Sequence, residues 1–263
     1  MNNPIFVFEG VRTATLTASE GSASGYPTTN LKDDRYATLW KSGGVAANQS
    51  LAIEFSAVKN VNSCLIANHN FASLGISALE IYSSGGGEEW YLFSSVDSYP
   101  DPLSIRTPGD YTTDKYWKIV FVKSNPLSVA PQMGLIYIGM EAVMPLYSNS
   151  PERGLQCDPI IAESMSKLRY SSSLGPDRET WKLNFGRLNT QQSYDFMRLI
   201  RAVNGRQYPF WFYDVDGNWH FVRFKKNYLP LVGKGNVIFS AREIEFDEER
   251  VGIAMNLPGS HTV

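Results

Sequence analysis

The sequence predicts a mainly β protein with one α-helix, arranged as an N-terminal β-sandwich followed by a second β domain. Short segments rich in Ile, Val, Phe, Tyr and Leu recur through the first half, and clusters of Gly, Pro, Asn and Asp separate them, as is typical of all-β domains. No helical pattern lies between these segments, which argues against a parallel α/β sheet. The second half adds further strand patterns and one helical pattern.

The clearest strand pattern of the first half lies around Trp117. Trp117, Ile119 and Phe121 alternate with Lys118 and Val120. Because residues two apart on a strand share a face, one face of this strand is predicted to be fully buried. The predicted strands of this half are Leu51–Phe55, Val61–Asn68, Leu79–Ser83, Trp90–Phe93, Tyr116–Val122 and Leu135–Met140.

The chain is predicted to divide into domains of residues 1–146 and 147–263. The segment Pro145–Gly154 is polar and contains two prolines, which suits a linker or a domain crossing. An N-terminal strand, Ile5–Glu9, completes one of the two domains, and the sequence leaves open which one. After Gly252 the strand and helix patterns stop, which predicts a mobile tail or a partner-binding arm.

The best helix of the chain is predicted from Asn189 or Thr190 to Asn204-Gly205. Asn and Thr cap helix N-termini, and Asn-Gly supplies left-handed residues at a helix end. The apolar stripe recurs at helical spacing through Phe196, Leu199, Ile200 and Val203. The predicted strands of this half are Lys167–Ser171, Thr180–Phe185, Pro209–Tyr213, Trp219–Phe224 and Val237–Asp247. An Asp-Gly turn signal makes the third and fourth of these a predicted hairpin.

The composition of the 263 residues excludes several classes of protein. An apolar fraction of 43% argues against wholesale disorder, and 21 Gly with 14 Pro fit neither collagen nor a coiled coil. The 24 basic and 26 acidic residues give a net charge of −2, without the basic cluster of a general nucleic-acid binder. We expect no membrane insertion and no signal peptide. Cys64 and Cys157 are expected to be buried thiols.

No motif in the sequence predicts catalysis, a metal site or a cofactor. The three histidines, His69, His220 and His261, lack the spacing of a zinc site. The acidic turn around Asp216 has the alternate spacing of a calcium loop, but its glycine is misplaced and a lysine replaces the final glutamate. We therefore expect a binding or structural protein. An enzyme, such as a glycan depolymerase or lyase, has no recognisable acid–base constellation to support it.

One stretch of the first half resembles the discoidin-like, galactose-binding-like jelly roll. The segment Asn30–Ser42 reads N-L-K-D-D-R-Y-A-T-L-W-K-S, and the strand patterns Ser50–Phe55 and Val61–Asn70 follow it. The resemblance implies a jelly-roll β-sandwich in which Leu31 and Trp40 anchor an extended loop onto the strands.

The C-terminal half resembles the tail-tube and distal-tail proteins of long-tailed, siphovirus-like phages. The resembling segments are Trp181–Phe185, Asn189–Gly205, Pro209–Tyr213 and Arg242–Phe246. The resemblance implies a tail-tube-like β domain in which strands of neighbouring copies combine into a homo-oligomeric ring, with six copies preferred and three left open. The residues expected to build this ring-forming domain are Trp181, Phe185, Phe196, Ile200, Trp211, Ile244 and Phe246.

The same resemblance implies a structural protein of the virion, a distal tail protein at the phage tail tip that is assembled in the host cytoplasm. The ring would connect the tail tube protein to the baseplate hub proteins and let DNA pass through its lumen. A mildly acidic chain permits this passage because it repels phosphates. The domain order departs from many distal-tail proteins, in which the ring domain comes first.

The alternative is a carbohydrate-binding module that contacts host surface glycans. Such sites use exposed aromatic rings with a few polar groups. The candidate contacts are Tyr36, Trp40, His69 and Trp90. For Trp40 and Trp90 the competing interpretation is that they pack inside the sandwich. The two functions are compatible, because a jelly roll can also serve as a spacer that docks other tail proteins.

Overall fold

The computed structural model of the chain describes residues 3–97, 105–123, 126–147, 151–156, 159–163, 169–173, 178–185, 188–226 and 244–249. These residues form a mainly β protein with one α-helix, which confirms the predicted fold class. Two compact units are present. We call Val7–Glu141 the sandwich unit, and Met1–Phe6 with Ala142–Val263 the helix unit.

The boundary between the units lies between Glu141 and Ala142, whereas the sequence placed it after residue 146. The first residues of the chain belong to the helix unit. Three predictions concern residues outside the described part, namely the tail after Gly252, the thiol of Cys157 and the position of His261. Cys64 is buried as a free thiol. Among the described residues, no α-helix has the length and apolarity that crossing a bilayer requires.

The sandwich unit is built from short strands around two long ones. The elements are β1 (Ile5–Gly10), β2 (Thr15–Ala18), the 3-10 helix η1 (Thr28–Lys32), β3 (Trp40–Lys41), β4 (Gln49–Ala67), β5 (Ala78–Ser84), β6 (Tyr91–Val96), β7 (Ile105–Val122), β8 (Gln132–Met133) and β9 (Leu135–Val143). The sheet runs in the order β1–β9–β4–β7–β5–β6, with β2 also paired to β4 and with β3 paired to β8. The residues at which the units divide lie in β1 and β9.

The long strand β4 joins two segments that the sequence predicted as separate strands. Its register against β7 shifts between Glu54 and Lys59, and such a bulge bends a strand without ending it. Before the bulge, β4 pairs with β2 and β7; after it, Ser63–Ala67 pair with β9. The residues between the two predicted strands therefore form a bulge within one continuous strand.

The core of the sandwich unit lies on one face of β4, β5 and β7. Trp117, Ile119 and Phe121 are at most 1% exposed, which confirms the predicted alternation on β7. Leu51 and Ile53 lie opposite Ile119 and Trp117 and are equally buried. Burial of each such side chain contributes about 1.5–3 kcal/mol. The intervening residues of these strands therefore face outward.

Among the described residues, the helix unit contains an antiparallel sheet, a separate pair of strands and the α-helix. Its elements are β10 (Glu152–Gln156), β11 (Pro159–Glu163), β12 (Arg169–Ser173), β13 (Arg178–Leu183), α1 (Thr190–Ala202), β14 (Phe210–Tyr213), β15 (Trp219–Phe224) and β16 (Ile244–Glu248). The sheet order is β10–β13–β16–β15–β14, and β11 pairs with β12. The predicted hairpin of β14 and β15 is confirmed. The polar, proline-broken composition around β10 concealed that strand, which was interpreted as linker.

The ends of α1 follow local rules that the sequence displays. Asn189 Oδ1 accepts the Gln192 N–H at 2.8 Å, and Gln192 Oε1 accepts the Asn189 N–H at 3.0 Å, which forms a capping box. At the other end, Asn204 and Gly205 have positive φ angles of 50° and 69°, as expected for a left-handed stop. The predicted helix is therefore confirmed at both ends.

An aromatic cluster fills the core of the helix unit. The ring of Phe6 lies 5.3 Å from that of Phe212 and 5.7 Å from that of Phe210. On the helix, Phe196 approaches Phe224 edge-on at 6.4 Å. Edge-to-face pairs of this kind are worth about 0.5–1.5 kcal/mol beyond their buried area.

Candidate functional site

Three of the four predicted glycan contacts lie inside the sandwich unit. Tyr36, Trp40 and His69 are 5%, 1% and 2% exposed. The indole N–H of Trp40 donates to Ser22 Oγ at 3.1 Å, and burial raises the pKa of Tyr36 to about 12. A ring at these exposures has no open face on which a sugar could stack. Of the four residues, only Trp90 is half-buried at the surface.

Side-chain hydrogen bonds from within the stretch that resembles a discoidin loop, and from Asn68 outside it, hold its backbone. Asn30 Nδ2 donates to the Leu39 carbonyl and Asn68 Nδ2 to the Tyr36 carbonyl, both at 2.7 Å. Leu31 and Trp40 are buried at the two ends of this stretch. The buried positions of Leu31 and Trp40 agree with the expectation that these two side chains anchor the loop onto the strands.

Trp90 belongs to a surface cluster that sequence reasoning missed. The ammonium group of Lys118 lies 4.4 Å from the centroid of the Trp90 ring and 5.3 Å from that of Tyr82. The Tyr82 hydroxyl donates to Glu80 Oε2 at 2.7 Å. We call Glu80, Tyr82, Trp90 and Lys118 the aromatic–lysine patch. All four side chains are half-buried.

Strand register brings the aromatic–lysine patch together. Tyr82 on β5 lies directly opposite Lys118 on β7, and directly opposite residues of an antiparallel pair share a face. Lys118 points outward because its neighbours Trp117 and Ile119 are in the core. Trp90 stands at the start of β6, after a loop in which Gly87 has a φ of 86°, a conformation that favours glycine.

The aromatic–lysine patch combines apolar faces with one cation and one anion. Cation–π attraction holds Lys118 over the two rings. The hydrogen bond to Glu80 raises the pKa of Tyr82, so its hydroxyl remains protonated at neutral pH. Such a surface can stack on an apolar ligand face while Lys118 donates, and Glu80 accepts, hydrogen bonds.

A second polar site lies in the helix unit, around the hairpin of β14 and β15. His220 Nε2 lies 3.0 Å from Asp214 Oδ2, and Arg153 Nη2 donates to the same oxygen at 3.1 Å. The Asp214 side chain is 1% exposed. Burial lowers the pKa of His220, but hydrogen bonds with Asp214 and Glu248 and the charges of Asp214 and Glu179 raise it to a net value of about 9. The imidazolium is therefore the stable form at neutral pH.

The hairpin turn with calcium-like spacing is occupied by protein groups. Asp214 Oδ1 accepts the N–H groups of Asp216 and Asn218 at 3.0 and 2.8 Å. The Arg153 guanidinium contacts the carboxylates of both Asp214 and Asp216. A cationic side chain of the protein itself therefore lies between the two carboxylates. No cluster of three or more potential metal ligands occurs within the described ranges. This site is a structural network that joins β10 to the hairpin.

The residues expected to build a ring-forming domain lie in the interior of the helix unit. Each is at most 5% exposed, and the set comprises Trp181, Phe185, Phe196, Ile200, Trp211, Ile244 and Phe246. Their burial explains the fold of the unit and does not test ring formation.

Several outward residues of β10, β13 and β16 are charged. Lys182 lies 3.8 Å from Glu152, and Lys226 lies 2.6 Å from Glu245. We call the surface formed by Glu152, Lys182, Lys225, Glu245 and Asp247 the charged sheet face; it lines an open cavity of about 300 Å³.

Comparisons with known proteins give similarity to solved structures only. No protein-family model matches the chain, and no curated protein matches it. The CpGH89CBM32-5 module from Clostridium perfringens, in complex with GalNAc-β-1,3-galactose, is 12% identical with a TM-score of 0.44; 51% of this chain and 99% of that one are covered. The family 32 CBM of C. perfringens NanJ, in complex with galactose, is 18% identical with a TM-score of 0.43, over 51% and 98%.

A third similar structure is chitosan-binding module 1, derived from a chitosanase/glucanase of Paenibacillus sp. IK-5. It is 17% identical with a TM-score of 0.42, and the match covers 50% of this chain and 99% of that one. All three similarities concern the fold of about half of the chain.

Proposed function

We propose that the sandwich unit is a carbohydrate-binding module and that the aromatic–lysine patch contacts the sugar. The observation that supports this is the position of Lys118 over Trp90 and Tyr82, with Glu80 bonded to Tyr82, on an outward sheet face. The patch differs from the residues chosen from sequence, of which it retains only Trp90.

The chemistry of the patch suits a pyranose. A sugar ring has an apolar face of C–H groups that packs against an aromatic ring and an edge of hydroxyls that both donate and accept hydrogen bonds. Trp90 and Tyr82 supply the rings, Lys118 supplies up to three donors, and Glu80 supplies acceptor oxygens. Charged partners give stronger hydrogen bonds than neutral ones, which favours orientation of the ligand by Lys118 and Glu80.

A glycan array probed with the full chain tests this proposal. We expect binding to a restricted set of glycans, and we expect Trp90→Ala to abolish the signal. Tyr111→Ala is the matched control, because Tyr111 is an aromatic residue of the same unit, is 58% exposed and lies outside the patch. Silence of the wild-type chain on the array, or equal signals from Trp90→Ala and wild type, would contradict the proposal.

We propose as a second function that the helix unit forms the ring of a phage tail tip, between the tail tube protein and the baseplate hub, with DNA passing through. The two faces of the helix-unit sheet differ in composition, and this difference supports the proposed ring. One face packs aromatic residues against α1, and the charged sheet face is suited to a water-filled lumen. Within the described residues, β10 pairs on one side only, with β13, and an open strand edge favours pairing with another copy.

Light scattering combined with negative-stain microscopy tests the ring. We expect six copies around a hole wide enough for duplex DNA, with three copies as the alternative symmetry. Leu155 lies on β10 and is 70% exposed, so Leu155→Lys should shift the assembly toward monomers. Tyr194→Lys, at a 59% exposed position of α1, is the control. A chain that stays monomeric at high concentration and with its tail partners would contradict the ring.

A further inference from the structure

A second cavity of the helix unit, of about 330 Å³, is rich in cationic side chains. Four cations line it: Arg178, Arg206, Arg223 and Lys225. Three carboxylates also line it: Asp247, Glu248 and Glu249. A concave site that concentrates guanidinium groups favours oxyanions, either planar ones such as carboxylates or tetrahedral ones such as phosphate and sulfate. Each guanidinium presents several donors in a fixed arrangement, and these donors can bind several oxygen atoms of one anion.

The carboxylates of this cavity already face cations. Arg223 Nε donates to Glu249, and Lys225 Nζ lies 3.7 Å from Asp247 Oδ1. Glu248 Oε1 lies 3.9 Å from the imidazolium of His220, outside the lining. The negative charges are therefore balanced by Arg223, Lys225 and His220, and the lining as a whole carries four cations against three anions.

Arg223 is held so that one of its nitrogens remains available. Its Nη1 donates to the carbonyls of Gln207 and Arg206, and Nε is taken by Glu249. Within the described residues no hydrogen bond involves its Nη2. A guanidinium fixed by three contacts loses little further entropy when it binds a ligand, which is the advantage of preorganised donors.

We propose that this cavity binds a small oxyanion, a phosphate, sulfate or carboxylate group, between Arg223 Nη2, Arg206 and Lys225. Arg206 is exposed on the turn that follows α1 and brings a second guanidinium to the cavity rim. The Lys225 side chain is 48% exposed, and its ammonium is only loosely paired at 3.7 Å, so it can turn toward a ligand. The site is distinct from the aromatic–lysine patch and requires no ring assembly.

Calorimetric titration of the full chain with sodium phosphate, sodium sulfate and sodium citrate tests the proposal, at an ionic strength held constant with NaCl because salt screens exposed charges. We expect saturable binding of at least one of the three, and the strongest one identifies the oxyanion. Arg206→Ala should weaken it about tenfold, as expected for loss of a charge-assisted contact. Its backbone carbonyl, which Arg223 uses, stays in place.

Two further variants make the test specific. Lys225→Gln should also weaken binding, whereas Arg198→Ala removes a guanidinium from α1 that does not line the cavity and should leave affinity unchanged. Absence of binding by the wild-type chain for all three anions would overturn the proposal. Equal weakening by Arg198→Ala and Arg206→Ala would overturn it too, because binding would then follow net charge alone.

Discussion

The outward sheet face of the sandwich unit carries aromatic rings around a lysine, whereas the charged sheet face of the helix unit carries ion pairs. On the first, Trp90 and Tyr82 flank Lys118. On the second, Lys182 pairs with Glu152. Aromatic rings attract an apolar ligand face, while exposed ion pairs remain hydrated and contribute little binding energy. This contrast supports the proposed recognition role of the first face and the proposed water-facing role of the second.

The interiors of the two units also differ. The core of the sandwich unit around Trp117 and Phe121 is apolar. The helix unit buries Asp214 against His220 and Arg153. Breaking a buried ion network leaves a charge without compensation. The stability of the helix unit should consequently be sensitive to charge changes in this network.

The largest loss of folding stability is expected for Asp214→Ala. Removal of the carboxylate takes the nearest carboxylate from His220 and one of the two carboxylates that Arg153 contacts, and it also frees the turn N–H groups of Asp216 and Asn218. We expect a loss of about 3–5 kcal/mol in the free energy of unfolding, measured by urea denaturation, with faster amide exchange confined to the helix unit. Asp216→Ala is the control, because its carboxylate is 58% exposed and should cost at most about 1 kcal/mol. Similar losses for both would contradict the network.

The second-largest expected effect is a decrease in the free energy of unfolding as the pH rises. The pKa of His220 in the folded state, about 9, exceeds the ordinary histidine value of 6.5, so the folded state binds this proton more tightly. The resulting stability is fully present below pH 6.5 and is lost as pH rises through about 9. We expect a decrease on the order of a few kcal/mol over this window. Urea midpoints measured across it should fall in the wild type and fall less in His220→Gln. If the urea midpoints of the wild type and of His220→Gln changed in parallel with pH, His220 would not titrate within this window.

A smaller effect is expected from Tyr82→Phe. The substitution keeps the ring beneath Lys118 and removes the hydrogen bond to Glu80. A part-exposed bond of this kind is worth about 0.5–1.5 kcal/mol. Thermal unfolding should therefore shift slightly, while glycan binding weakens because Glu80 loses the group that orients it. If binding were unchanged, Glu80 would be excluded as a ligand contact.

The smallest effect is expected from Lys182→Gln on the charged sheet face. Lys182 lies 3.8 Å from Glu152, whose side chain is 75% exposed. Exposed pairs of this kind contribute about 0–1 kcal/mol. Urea denaturation should give nearly the wild-type midpoint at low and high salt. A loss comparable to that of Asp214→Ala would show that this face is not freely hydrated.

Local signals predicted the helix and the hairpin, and long-range register decided the rest. The capping residues of α1 and the Asp-Gly turn act within a few residues, so they are readable from sequence. The aromatic–lysine patch depends on Tyr82 lying opposite Lys118, and a register cannot be read from one strand. The alternation of β7 did mark Lys118 as outward, and this was the one signal that could have identified it.

The burial of the predicted glycan contacts could not be read from sequence. Tyr, Trp and His are intermediate in burial, so residue type alone does not separate a core ring from a ligand contact. Trp40 and His69 proved to be core residues and Trp90 a surface residue. The joining of two predicted strands into β4 was missed for a similar reason, because a bulge is formed by pairing with β7.

The most direct test is calorimetric titration of the glycan selected on the array with three forms of the full chain. These are the wild type, Trp90→Ala in the aromatic–lysine patch and Lys182→Gln on the charged sheet face. Loss of one aromatic stacking contact should weaken affinity by about tenfold or more. We therefore predict that Trp90→Ala loses measurable binding and that Lys182→Gln binds as the wild type does. Wild-type affinity in Trp90→Ala, or an equal loss in Lys182→Gln, would contradict recognition by the sandwich unit.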